Sequence, residues 1–253
     1  MPPDAAVPPV LAVADPTAPP AEPAPTLGRV LGAALITTAL VTAASYATPD
    51  KYAATVVGLV FLAATWWLVL RRDEDTIRAH GLSLGGLLEP TPLSANRLLR
   101  DALIAIAYAA AFALVVFPPF WIGYRTYWHI KAPFLLRFPP SVLDELAGQF
   151  LVIALPEEAF FRGYLQSSLD RIFEPRWRIF GASLGAGWII SAGIFAVGHV
   201  LTTPHPARLA VFFPALVFGW LRARTGGIGA AVLFHALCNL FSATLARGYG
   251  LGL

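Results

Sequence analysis

Residues 155–166 read LPEEAFFRGYLQ, with two adjacent carboxylates and an arginine in a stretch whose flanks are strongly apolar. If those flanks are lipid-buried helix, a lone charge at the helix centre costs about 2.5–3.5 kcal/mol on insertion scales. Glu157, Glu158 and Arg162 together would cost roughly 8–10 kcal/mol if each stayed charged and met no partner. Part of the relief is local. Glu158 and Arg162 stand at i and i+4, so they share a helix face and can pair. Glu157 points about 100° away from Glu158 and has no partner in its own helix. Its relief has to come from another span.

The rest of the chain supports the membrane reading of those flanks. Of 253 residues, 57% are hydrophobic and only 13% charged, and the mean hydropathy is +0.65. A soluble domain carries about 25% charged residues. Apolar runs fall at about 28–47, 52–70, 102–120, 146–167, 183–202, 209–222 and 226–246. Most have the roughly 20 residues that cross the hydrocarbon core as helix. The expected fold is all-α, a polytopic transmembrane helical bundle of about seven spans. The stretch 116–140, VFPPFWIGYRTYWHIKAPFLLRFPP, reads as interfacial or re-entrant and would make an eighth span if it dips in. The short 209–222 run calls for snorkelling by Arg208, Arg222 and Arg224 or for local thinning of the bilayer.

Residues 1–26 hold nine prolines and no Lys or Arg, a composition that cannot pack and reads as a disordered tail. It lacks the basic start and short apolar core of a secretory signal. The division expected is a tail at 1–26, N-terminal spans and loops at 27–143, a core at 144–247 and a C-terminal tail at 248–253. With the tail cytoplasmic, ten basic loop residues face inward against six outward, which favours N-in by the positive-inside rule. The net charge of +3 without a basic stripe excludes nucleic acid as a partner. The single cysteine, Cys238, excludes an intramolecular disulfide and reads as a small buried apolar residue before it reads as a reactive thiol.

Two later spans offer partners for Glu157. FAVGH (195–199) carries His199 four residues after Phe195, and HALCN (235–239) places His235 and Asn239 on one helix face. A carboxylate, two imidazoles and a carboxamide are the groups that a general base, an acid and an oxyanion site require. Each motif also has a plain reading. Glu158 with Arg162 can be a structural ion pair, His199 an interfacial histidine, and His235 with Asn239 interhelical hydrogen-bond glue. His80, His129 and His205 lie in loops or interfacial segments and take no role.

EEAFFRG, FAVGH and HALCN, in that order on separate apolar helices, resemble the EExxxR, FxxxH and HxxxN motifs of the CPBP family of intramembrane proteases. That family (also called Abi) groups the CAAX prenyl endopeptidases with bacteriocin-processing enzymes. The resemblance covers roughly residues 145–245. It implies a membrane endopeptidase in which glutamate-activated water attacks a peptide bond near the membrane. Glu157 and Glu158 would be the paired carboxylates and Arg162 their partner. His199 would position water or protonate the leaving amine, and His235 and Asn239 would stabilise the oxyanion. Implied substrates are peptides or proteins with a hydrophobic or lipidated segment: prenylated C-termini, leader peptides, or C-terminal sorting tags as in myxosortase-like members. Membrane lipid is the other partner, and the bacterial inner membrane the location. No cofactor is favoured. Zinc is the alternative, with Glu157, His199 and His235 as ligands; the soluble H-E-x-x-H pattern keeps both histidines on one helix, whereas here they lie on two. The rival functions are a transporter or proton relay using the same buried groups and a noncatalytic membrane scaffold.

Overall fold

The computed structural model describes residues 25–89 and 91–251. Most of the expected 1–26 tail, Pro90 and the last two residues lie outside the described residues.

Each of the seven apolar runs lies mostly on helix. Among the described residues, five helices are long and apolar enough to cross a membrane: Leu27–Ala47, Asp50–Leu70, Ala95–Tyr127, Pro206–Thr225 and Gly229–Tyr249. Ala186–Thr202 is apolar but shorter. The seventh is the helix that carries the EEAFFRG motif, continuous over 142–173, which is called the motif helix below. Its N-terminus is capped by Ser141, whose hydroxyl accepts from the Asp144 amide. The first two helices pack on each other, the long Ala95–Tyr127 helix packs along the terminal one, and the motif helix lies between the second helix and Ala186–Thr202. The result is a helical membrane bundle.

Three local expectations need correction. The stretch 116–140 is neither an extra span nor re-entrant in its first half. Helix runs straight through Pro118 and Pro119 to Tyr127. Each proline withholds one backbone donor, a loss transmembrane helices tolerate when neighbours and local adjustment absorb it. The run 183–202 opens with a two-stranded hairpin, Trp177–Ile179 paired antiparallel with Ala182–Leu184, and its helix begins only at Ala186. Arg222 does not snorkel. Its Nη2 donates at 3.0 Å both to the Ala79 carbonyl and to Ser167 Oγ, because the short helix Glu74–Ala79 ends beside it.

That short helix belongs to a folded segment on one end of the bundle. Leu82 is fully buried and packs so closely on Gly163 that a Cβ there would lie 2.5 Å from Leu82 Cδ2. Glu89, also buried, accepts two hydrogen bonds of 2.6 Å from Arg97 and one of 3.1 Å from Arg78. These bonds hold its carboxyl below the usual glutamate range.

Around the two glutamates the motif helix changes its winding. Gly148–Ala154 and Ala159–Gln166 are π-helical, flanking the α-helical turn Leu155–Glu158. Such wide turns are uncommon and concentrate at functional positions.

Candidate active site

Glu158 and Arg162 meet as their spacing predicts, with Arg162 Nη1 donating to Glu158 Oε1 at 3.0 Å. Both are sealed from solvent, at 0% and 1% side-chain exposure. The guanidinium has a second anchor, since Nη2 donates to the Ala215 carbonyl at 3.1 Å. Its plane sits near two rings, 4.5 Å from the Phe195 centroid and 5.1 Å from Phe218. One turn later Gln166 repeats the arrangement, donating to the Gly219 carbonyl at 3.1 Å. From the other side Trp188 Nε1 donates to Leu216 O at 2.8 Å, and Ser191 donates to Phe161 O at 2.9 Å. Three helices are thus interlocked by side chains bonded to main-chain carbonyls. Gly219 has to be glycine here: a Cβ would lie 2.6 Å from both Gln166 Oε1 and Trp188 Cδ1.

The terminal helix brings His235 to the same carboxylate. Its Nδ1 stands 2.8 Å from Glu158 Oε1, and its ring stacks on Phe218 at 4.7 Å with 12° between the planes. With Nδ1 donating to Glu158, the other ring nitrogen turns toward the second glutamate: Nε2 is 3.8 Å from Glu157 Oε2. That separation is too long for a direct hydrogen bond. Glu157 Oε2 and Glu158 Oε2 are both buried without a hydrogen-bond partner among the described residues. The pairing of carboxylate, imidazole and a further oxygen acts across 77 residues of sequence.

His199 stands next to this group without bonding to it. Its Nδ1 lies 3.0 Å from the Phe195 carbonyl, which can only accept, so Nε2 is its free nitrogen. Phe195 links the two histidines, with its ring 4.3 Å from His199 and 5.9 Å from His235. Asn239 is half-buried one turn beyond His235, and no hydrogen bond joins it to the other five residues among those described. His80 lies at the turn that ends Glu74–Ala79, as a loop residue would, and is buried there.

A zinc ion would engage Glu157 and the Nε2 atoms of His199 and His235. Both Nδ1 atoms do face oxygen acceptors, as outer-shell partners of ligating histidines commonly do. Among the described residues, however, no three His, Cys, Asp or Glu side chains are grouped closely enough to hold an ion.

Several contributors carry no signal in the motifs. Gln166, at i+4 from Arg162, lies outside the motif. Phe218, Trp188 and the carbonyls of Ala215 and Gly219 were not legible, because nothing in a sequence marks which ring stacks on a histidine or which carbonyl receives a side chain.

Fold and site define a polytopic helical membrane protein with a buried carboxylate–arginine–histidine cluster assembled from separate helices. Residues 139–241 match the family model of the Rce1-like type II CAAX prenyl endopeptidases. No curated protein and no solved structure matches the chain.

Proposed function

We propose that this chain hydrolyses a peptide bond next to an apolar or lipidated segment, with Glu157 as the base that activates water. The observation that carries the reading is the 3.8 Å separation of Glu157 Oε2 from His235 Nε2, with His235 held on its far side by Glu158. One water oxygen can contact both atoms across such a gap. In the proposed reaction Glu157 accepts a proton from that water as its oxygen bonds to the scissile carbonyl carbon. The carbonyl electron pair moves to oxygen, and His235 as an imidazolium, with Nδ1–H on Glu158 and Nε2–H toward the anion, stabilises it together with Asn239. The anion then collapses, the C–N bond breaks, and the leaving nitrogen takes the proton held by Glu157, directly or relayed through the free Nε2 of His199. Glu158 and Arg162 keep His235 oriented and do not exchange protons.

A cavity of about 420 Å3 supports an apolar substrate segment. Its walls include Leu98, Ala105, Leu155 and Val232, and the last two lie within a turn of Glu157 and His235. The excess of basic residues in the 71–100, 171–178 and 222–224 loops supports N-in insertion in a bacterial inner membrane.

The test uses the full chain in lipid nanodiscs with quenched fluorogenic peptides. One ends in a prenylated cysteine motif, one is the same peptide unprenylated, and one carries a candidate sorting tag. Glu157→Gln keeps the shape and removes the base, so turnover of any cleaved peptide should fall by about 10²–10⁴-fold with the thermal transition unchanged. Cleavage by Glu157→Gln at the wild-type rate would overturn the assignment.

A further inference from the structure

The hairpin 177–184 makes a turn that its sequence is poorly suited to make. Phe180 and Gly181 both have positive φ, 46° and 80°, the pattern of a two-residue type I′ turn. Glycine, Asn or Asp adopt it readily, whereas a bulky side chain at positive φ is an outlier. Phe180 gains no packing in return, since it is 89% exposed at the tip. Trp177 and Ile179 are also exposed.

The hairpin is firmly seated all the same. Ala182 and Leu184 are fully buried, Trp220 Nε1 donates to the Ile179 carbonyl at 2.9 Å, and the Arg176 amide donates to Leu184 O at 3.0 Å. Its depth can be read from its neighbours. Arg224 lies against Gly181 and over the Tyr108 ring at 5.7 Å. Trp220 packs on Tyr108 and Phe112, within the apolar part of the long helix. The tip therefore stands at the level where that helix enters hydrocarbon. Arg171, Arg176, Arg178 and Arg224 are exposed around it, against one exposed carboxylate, Glu174.

We propose that the hairpin is a membrane-interface wedge for anionic phospholipid, with Phe180 entering the acyl boundary and Arg176 and Arg178 binding lipid phosphates. Aromatic side chains flanked by arginine favour that boundary, and guanidinium groups bind phosphate through paired, charge-assisted hydrogen bonds. Juxtamembrane arginines are attracted to an anionic leaflet. The inference is independent of the proteolytic reading.

The experiment places p-cyanophenylalanine at position 180 of the full chain and reads the nitrile infrared band in nanodiscs of phosphatidylcholine, with and without phosphatidylglycerol. The expected result is a shift to the dehydrated frequency that grows with phosphatidylglycerol and is lost in Arg176→Gln/Arg178→Gln. Both arginines are exposed, so that variant should keep the wild-type thermal transition. As a second measurement, native mass spectrometry should count fewer phosphatidylglycerol molecules retained by Phe180→Gly, whose turn is relieved of strain. A nitrile that is water-exposed in both membranes would overturn the wedge. Dehydration indifferent to lipid charge and to the arginines would overturn the anionic-lipid assignment, as would unchanged lipid retention by Phe180→Gly.

Discussion

Replacing Arg162 by Met tests whether the buried cluster is held by charge pairing or by packing alone. Met is flexible enough to fill the space between Phe195 and Phe218, so cavity formation is small. The Ala215 carbonyl keeps its own helical bond. What remains is Glu158, fully buried and stripped of its guanidinium. Removing one partner of such a pair costs about 3–5 kcal/mol, and full burial leaves no solvent screening to reduce it. At the lower end this is roughly a 150-fold change in the folding equilibrium. The double variant Glu158→Gln/Arg162→Met removes the stranded charge as well, and a glutamine at 158 can still accept from His235 Nδ1. It should recover about 2 kcal/mol or more and remain inactive, since His235 would have lost its carboxylate. The assay is reversible denaturant unfolding in bicelles for wild type, both single variants and the double variant. A double variant no more stable than Arg162→Met would refute the reasoning, because the cost would then lie in lost packing.

Gly219→Ala should destabilise by about 1–3 kcal/mol through overpacking, because its methyl would meet Gln166 and Trp188 at 2.6 Å; the same unfolding assay reads it. Glu89, with its carboxyl held low chiefly by hydrogen bonds from Arg97, contributes stability that is fully present above the ordinary glutamate value of about 4.3. That contribution is lost as pH falls through the lower folded value, so the acid limb of a stability profile should flatten in Arg97→Gln. Cleavage by the detergent-purified chain should survive a strong chelator, in keeping with a glutamate base; loss restored by stoichiometric zinc would move the same residues into a metal site.

The helices were legible because apolar runs of about 20 residues have few other uses, and the Glu158–Arg162 pair followed from i, i+4 spacing alone. The demand that Glu157 find relief on another span pointed toward His235, yet the sequence did not reveal that His235 bonds first to Glu158. That choice depends on rotamers and on Phe218 stacking against the imidazole. His199 was expected beside His235 in another role, and its Nδ1 is taken by its own helix's carbonyl at Phe195, a local bond that competes with any longer reach. The hairpin escaped notice because three-residue strands are too short for alternation to show. The passage of helix through Pro118 and Pro119 contradicts rules learned from soluble proteins, where water competes for the freed carbonyls.

The helix Phe212–Thr225 contributes to the site through one ring, Phe218, and through its main chain, by way of the carbonyls of Ala215, Leu216 and Gly219. Every residue type supplies the same carbonyl, so Ala215 and Leu216 can change side chain and still present the acceptors that the arginine and the indole grip. This main-chain contribution is invisible to motif searches, which compare side chains. Three recognisable signatures therefore describe a machine with four working helices. A designer transplanting the signatures onto another bundle would have to carry across a backbone path that no consensus string records.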